Sequence, residues 1–125
     1  MREITKPISL PLDGKETTFR LSKLDAFSGA RLLKLLSSLP NAEGQRELPL
    51  AELLLLLPEE KLEALMRVCL THAEISLPAG YVPVFKEDCW GLPDLEYETA
   101  LCLRLTGEVA DWTLRGFFVE GGQPS

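Results

Sequence analysis

Asp13-Gly14 is the feature that most constrains this chain. It stands between two short runs of alternating apolar and polar residues, and glycine accepts the positive φ that a tight type I′ turn requires. A two-residue turn there sets the register of a β-hairpin over residues 1–21. Leu12 then faces Lys15, Leu10 faces Thr17, and Ile8 faces Phe19, giving one mostly apolar face. Ser9 opposite Thr18 and Pro7 opposite Arg20 give a polar one. In this register Pro7 and Pro11 occupy non-hydrogen-bonded positions. They cost the hairpin nothing internally, yet they spoil the outer edge of the first strand. The expectation is a lone ribbon packed on helices.

The rest of the chain reads as helix. Leucine accounts for 26 of 125 residues, and leucine is a strong helix former. Ser22-Lys23-Leu24-Asp25 resembles an N-cap with an acidic first turn, which predicts a helix from about Lys23 to Leu39. Leu24, Leu32, Leu35, Leu36 and Leu39 form its apolar stripe, with Phe27 at the border; Gly29 weakens it and marks a candidate close-packing point. Pro40 to Gly44 predicts a polar loop. A short helix is expected over Leu50 to Leu57, and its five consecutive leucines fit no one-faced packing. Pro58, with Glu59 and Glu60, is expected to open a helix reaching Thr71. Ser76 to Pro93 is punctuated by proline and glycine and is the least regular part; Tyr81 to Phe85 is a candidate extended piece, with Pro83 against a central strand position. The last helix is predicted from Asp94 to Phe118. Its apolar residues cover two sides, so it is either the centre of a bundle or shared with a partner. The fold expected is therefore mainly α with a small N-terminal β-hairpin (α+β), about four helices packed around a long C-terminal helix. It forms one domain over 1–125: hairpin 1–21, helical body 22–120, frayed tail 121–125.

Chemistry is sparse in this chain. The one histidine, His72, follows Cys69 at Cys-x-x-His spacing, and Cys89 and Cys102 match no zinc-finger pattern. The expectation is no metal, no cofactor and no catalytic residue. The paired carboxylates Glu59-Glu60 and Glu87-Asp88 read as a helix N-terminus and a solvated loop. A net charge of −6 argues against nucleic acid as a partner. The leucine run 53–57 is far shorter than the roughly 20 residues a bilayer requires, and no secretory signal opens the chain. Neither a membrane nor a secreted location is expected, and three sparse cysteines suit the cytosol. Charge is uneven: residues 1–34 carry 7 basic and 4 acidic side chains, residues 35–125 carry 6 and 15. Either this is scatter on a solvated surface, or complementary ends steer head-to-tail association.

Several phrases resemble those of tail assembly chaperones from phages and prophages of Gram-positive bacteria. At the start they are Lys6-Pro7-Ile8, Leu12-Asp13-Gly14-Lys15, Phe19-Arg20-Leu21 and Lys23-Leu24-Asp25-Ala26-Phe27-Ser28-Gly29. Toward the end they are Trp90, Pro93-Asp94-Leu95-Glu96, Leu101-Cys102-Leu103-Arg104-Leu105-Thr106, and Phe117-Phe118 before Gly121-Gly122. The resemblance implies a small, mainly helical, non-enzymatic protein of the host cytoplasm that is absent from the mature virion. Such chaperones bind the tape measure protein and keep its apolar helices in solution until tail tube protein displaces them. More leucine than one small core requires fits such a holder, and self-association is expected with it. The candidate contact residues are Leu53, Leu54, Leu56, Leu57, Leu103, Leu114 and Phe117. The alternative is a bacterial helical protein–protein adaptor or regulatory module of unrelated origin.

Overall fold

The structure is a computed structural model that describes residues 5–37, 52 and 54–121, with side chains as far as Leu36 in the first of these segments and Leu114 in the last. The loop expected at 40–44, residues 50, 51 and 53 of the helix expected over 50–57, and the tail beyond 121 lie outside the described residues; Glu52 and Leu54 of that helix are helical.

The hairpin forms in the expected register. Strands β1 (Thr5–Leu12) and β2 (Lys15–Ser22) pair from Thr5↔Ser22 to Leu12↔Lys15. Asp13 (φ 55°) and Gly14 (φ 77°) close them with the positive φ angles of a type I′ turn. The ribbon is not alone, however. Strand β3 (Ala73–Leu77) pairs with β2 through Phe19↔Ile75 and Leu21↔Ala73, and β4 (Gly80–Pro83) pairs with β3. The result is a four-stranded antiparallel sheet in the order β1-β2-β3-β4. Proline-bearing β1 lies at one edge, and Pro83 ends the strand at the other, where a missing N–H does least harm. Two short strands, β5 (Phe85–Lys86) and β6 (Cys89–Trp90), make a separate hairpin.

Alternation along the strands sorts the two faces of the sheet. Ile8, Phe19, Ile75 and Val82 form one row across it, and Phe19, Leu21 and Ile75 are fully buried beneath the helices. Full burial of each such side chain contributes roughly 1.5–3 kcal/mol. The opposite face carries Arg20, whose guanidinium bonds Glu74 Oε1 at 2.6–2.7 Å and stacks 4.1 Å above the Tyr81 ring.

Three α-helices of described extent complete the fold, the second and third in contact with the sheet. Helix α1 spans Ala26–Ser37, α2 Glu59–Thr71 and α3 Thr99–Gly121, with a 3-10 helix at Pro93–Tyr97. The expectation of a mainly α fold with about four helices around the last one is thus overturned: helix and antiparallel sheet share the chain as an α+β fold. The difference lies in β3 and β4, which build the expected lone ribbon into a sheet. Helix α3 still holds a central place. It packs against α1, α2 and β2, burying Cys102, Leu105, Thr106, Val109 and Ala110. Its start is later than expected, because Glu98 (φ −99°, ψ 72°) leaves helical geometry between the 3-10 turn and α3. Along its exposed side Arg104 and Glu108 form an i,i+4 ion pair at 3.2 Å.

Helix α1 also begins later than expected. Ser22 closes β2, and Asp25 is the residue whose carboxylate accepts from the N–H groups of Phe27 (3.1 Å) and Ser28 (3.2 Å). The Ser28 hydroxyl and the Ser28 N–H, in that order, hold the Asp25 carboxyl below its ordinary value of 3.8. A carboxyl whose pKa falls on folding stabilises above the unfolded pKa and loses that contribution as pH drops through the folded value. Asp25→Ala is therefore expected to lower the melting temperature at neutral pH, and the gap from the parent protein to close in acid below about pH 4. Thermal scans across pH check this, and a gap independent of pH would exclude the charged cap.

Gly29 faces α3, as a close-packing point would, but a Cβ there would sit 3.6 Å from Thr113 Cγ2, an ordinary contact. Space does not demand glycine. Gly29→Ala should raise stability by about 0.5–1 kcal/mol, read from a denaturant midpoint.

Candidate functional site

The leucine run before α2 divides into two halves. The N–H of Leu55 donates to Glu52 O (3.2 Å) and that of Leu57 to Leu54 O (3.0 Å), so the chain winds in i→i−3 turns. Residues three apart then share a side. Leu54 and Leu57 are buried, while Leu55 and Leu56 stand 54% and 52% exposed. Pro58, in extended geometry at ψ 150°, ends the turn and precedes α2 rather than serving as its first residue. Of the seven candidate contact residues, Leu56 is therefore presented to solvent. Leu54, Leu57 and Leu114 are core, and Leu103 is half-buried. Leu53 and the Phe117 side chain lie outside the described residues. Leu55 escaped the sequence reading. Proline at 58 and the pairing of apolar positions three apart were the only signals that could have separated it from its neighbours.

A groove of about 320 Å³ lies between α2, the β5–β6 hairpin and the 3-10 helix. Met66, Leu70, Phe85 and Trp90 supply its apolar lining, and Glu63, Asp88 and Glu96 its acids. Phe85 and Trp90 are cross-strand partners with ring centroids 4.8 Å apart. Arg67 binds the acidic side together. Its guanidinium donates to Asp88 Oδ1 at 2.6 Å and to Glu63 Oε2 at 3.0 Å, and it lies 5.3 Å from the Phe85 ring centre. Asp88 first, then Glu63, raise the Arg67 pKa above its ordinary value, so the cation is held charged. Asp88 is placed for this by an unusual turn: Glu87 (φ 52°) and Asp88 (φ 63°) are both left-handed without being glycine.

Cys69, Cys102 and His72 are engaged elsewhere, and Cys89 is exposed on β6. Burial pushes the Cys69 thiol up to about 12, and burial followed by nearby Glu98 pushes Cys102 up to about 11, so neither is a thiolate near neutrality. The Cys102 thiol donates to Leu95 O at 3.5 Å. His72 Nδ1 lies 3.0 Å from Val68 O, a bond that requires the proton on Nδ1. Among the described residues no three His, Cys, Asp or Glu side chains are grouped to hold a metal ion. Nor is any described helix long and apolar enough to cross a membrane.

The two ends of the described chain meet in space. The Leu24 N–H donates to Thr113 Oγ1 at 3.0 Å, and the Lys6 and Lys23 ammonium groups lie 5.0 and 4.8 Å from the Trp112 ring centre. The hairpin, the link into α1 and helix α3 are thereby tied into one frame. No protein-family model, curated protein or solved structure matches this chain.

Proposed function

We propose that this protein is a phage-type tail assembly chaperone, a non-catalytic protein of the bacterial cytoplasm that shelters apolar segments of a tape measure protein until tail tube subunits displace it. The observation that carries the reading is the exposed pair Leu55 and Leu56, held out on a turn whose other two leucines are anchored in the core. Ordering such side chains before the partner arrives lowers the entropic cost of capture. The sequence phrases that resemble the chaperones support the same reading, since they supply the hairpin turn at Asp13-Gly14, the cap at Asp25 and the start of α3. The contact surface is a turn projecting from an α+β frame.

Co-expression with a tape measure fragment tests this. The parent protein should keep the fragment in the supernatant and co-purify with it. The Leu55→Asp, Leu56→Asp double variant should leave it in the pellet while its own circular dichroism and melting temperature stay unchanged. A fragment that stays insoluble beside the parent protein would end the reading.

A further inference from the structure

The acid-rimmed groove has a complement elsewhere on the same surface. Phe27, in the first turn of α1, is 86% exposed, the most exposed of the large apolar side chains described. Arg31 and Lys34 follow it at i+4 and i+7, the spacing that puts all three on one side of the helix. An aromatic knob is thus flanked by cations. The groove offers the reverse: an apolar lining of Met66, Leu70, Phe85 and Trp90, with room for one aromatic ring and more acid than base around it. Arg67 already engages Glu63 and Asp88, whereas Glu96 makes no ion pair among the described residues.

Knob and groove are also neighbours. Ser28, next to Phe27, lines a second hollow that shares Arg67, Phe85 and Asp88 with the groove. A knob beside its own socket, on one protomer, is the arrangement that a twofold axis can satisfy twice at once. We propose that the groove's occupant is a second copy of this chain: Phe27 of each protomer enters the groove of the other, with Arg31 and Lys34 facing its acidic rim. This replaces open head-to-tail association by a pair that closes at two. It goes beyond the tail-assembly reading and does not depend on it, because Leu55 and Leu56 take no part.

Sedimentation equilibrium of the full chain is the test. A dimer is expected, with no larger species, and its affinity should fall as salt rises. Phe27→Ala should weaken it about 30-fold, the scale of an aromatic anchor removed from a pocket. Because Phe27 is exposed in the protomer, that variant should keep the parent melting temperature when both are measured as monomers at high dilution. Glu96→Arg should weaken the dimer too, and adding Arg31→Glu to it should restore part of the loss. A chain that stays monomeric up to millimolar concentration would overturn the proposal. So would a ladder of larger species, or a dimer indifferent to Phe27→Ala.

Discussion

Gly91→Ala is expected to destabilise the protein by about 3 kcal/mol or more, the upper range for forcing atoms into a packed site. Gly91 follows β6 directly, and its N–H donates to Val84 O at 2.9 Å, closing the small hairpin against the end of β4. A Cβ at this position would fall 2.1 Å from Pro83 O and 3.0 Å from Val82 Cγ2. The nearer atom belongs to the backbone, so no rotamer change relieves the overlap. Either the Gly91–Val84 bond breaks or the sheet edge moves. The demand is for space and not for an unusual torsion. Gly14 is the opposite case: a Cβ there meets nothing within 4 Å, yet φ is +77°. The consequence reaches the groove, because Phe85 and Trp90 are held 4.8 Å apart by the hairpin that Gly91 closes. Denaturant unfolding of Gly91→Ala beside Gly29→Ala gives a direct contrast, a large loss against a small gain. A loss below about 1 kcal/mol at Gly91 would mean that the two segments can separate there at little cost.

That glycine shows where the sequence stopped being readable. Gly91 looked like ordinary punctuation, since nothing local reveals that a carbonyl eight residues earlier presses on it. The first hairpin was readable because Asp13-Gly14 and the alternation around it are local signals for one turn and one register. The β5–β6 hairpin uses the same kind of turn with Glu87 and Asp88 at φ 52° and 63°, and these residues carry no such signature. Their left-handed geometry costs roughly 1–2 kcal/mol per residue and persists because tertiary contacts such as Arg67–Asp88 hold it. Strand β3 was missed for a related reason. Ala73-Glu74-Ile75-Ser76-Leu77 alternates, but it starts one residue past a helix, and its partner β2 lies some fifty positions away in the chain. Only long-range pairing with β2 decides that this stretch is strand. The same limit applied to the candidate site. Periodicity placed Phe27 at the border of an apolar stripe, but not whether a neighbour would cover it.

The leucine run supplies the second large effect, because adjacent identical residues should respond oppositely. Leu54→Ala is expected to cost about 3 kcal/mol, within the 2–5 kcal/mol range for emptying a fully buried leucine site. Leu56→Ala, two residues on, should change stability by less than about 0.5 kcal/mol, as at an ordinary surface position. The difference follows from the i→i−3 bonds at Leu55 and Leu57, which put Leu54 and Leu57 together beneath the turn and leave the two between them outside. If the run were all core, both substitutions would be costly. Measured in urea, the pair therefore reads the turn directly, before any partner is present. The split also separates two ways of losing chaperone activity. Leu54→Ala would fail by unfolding the platform, with a lowered midpoint and a matching loss of capture. Loss of capture at Leu55 and Leu56 with an unchanged midpoint can come only from the surface they present.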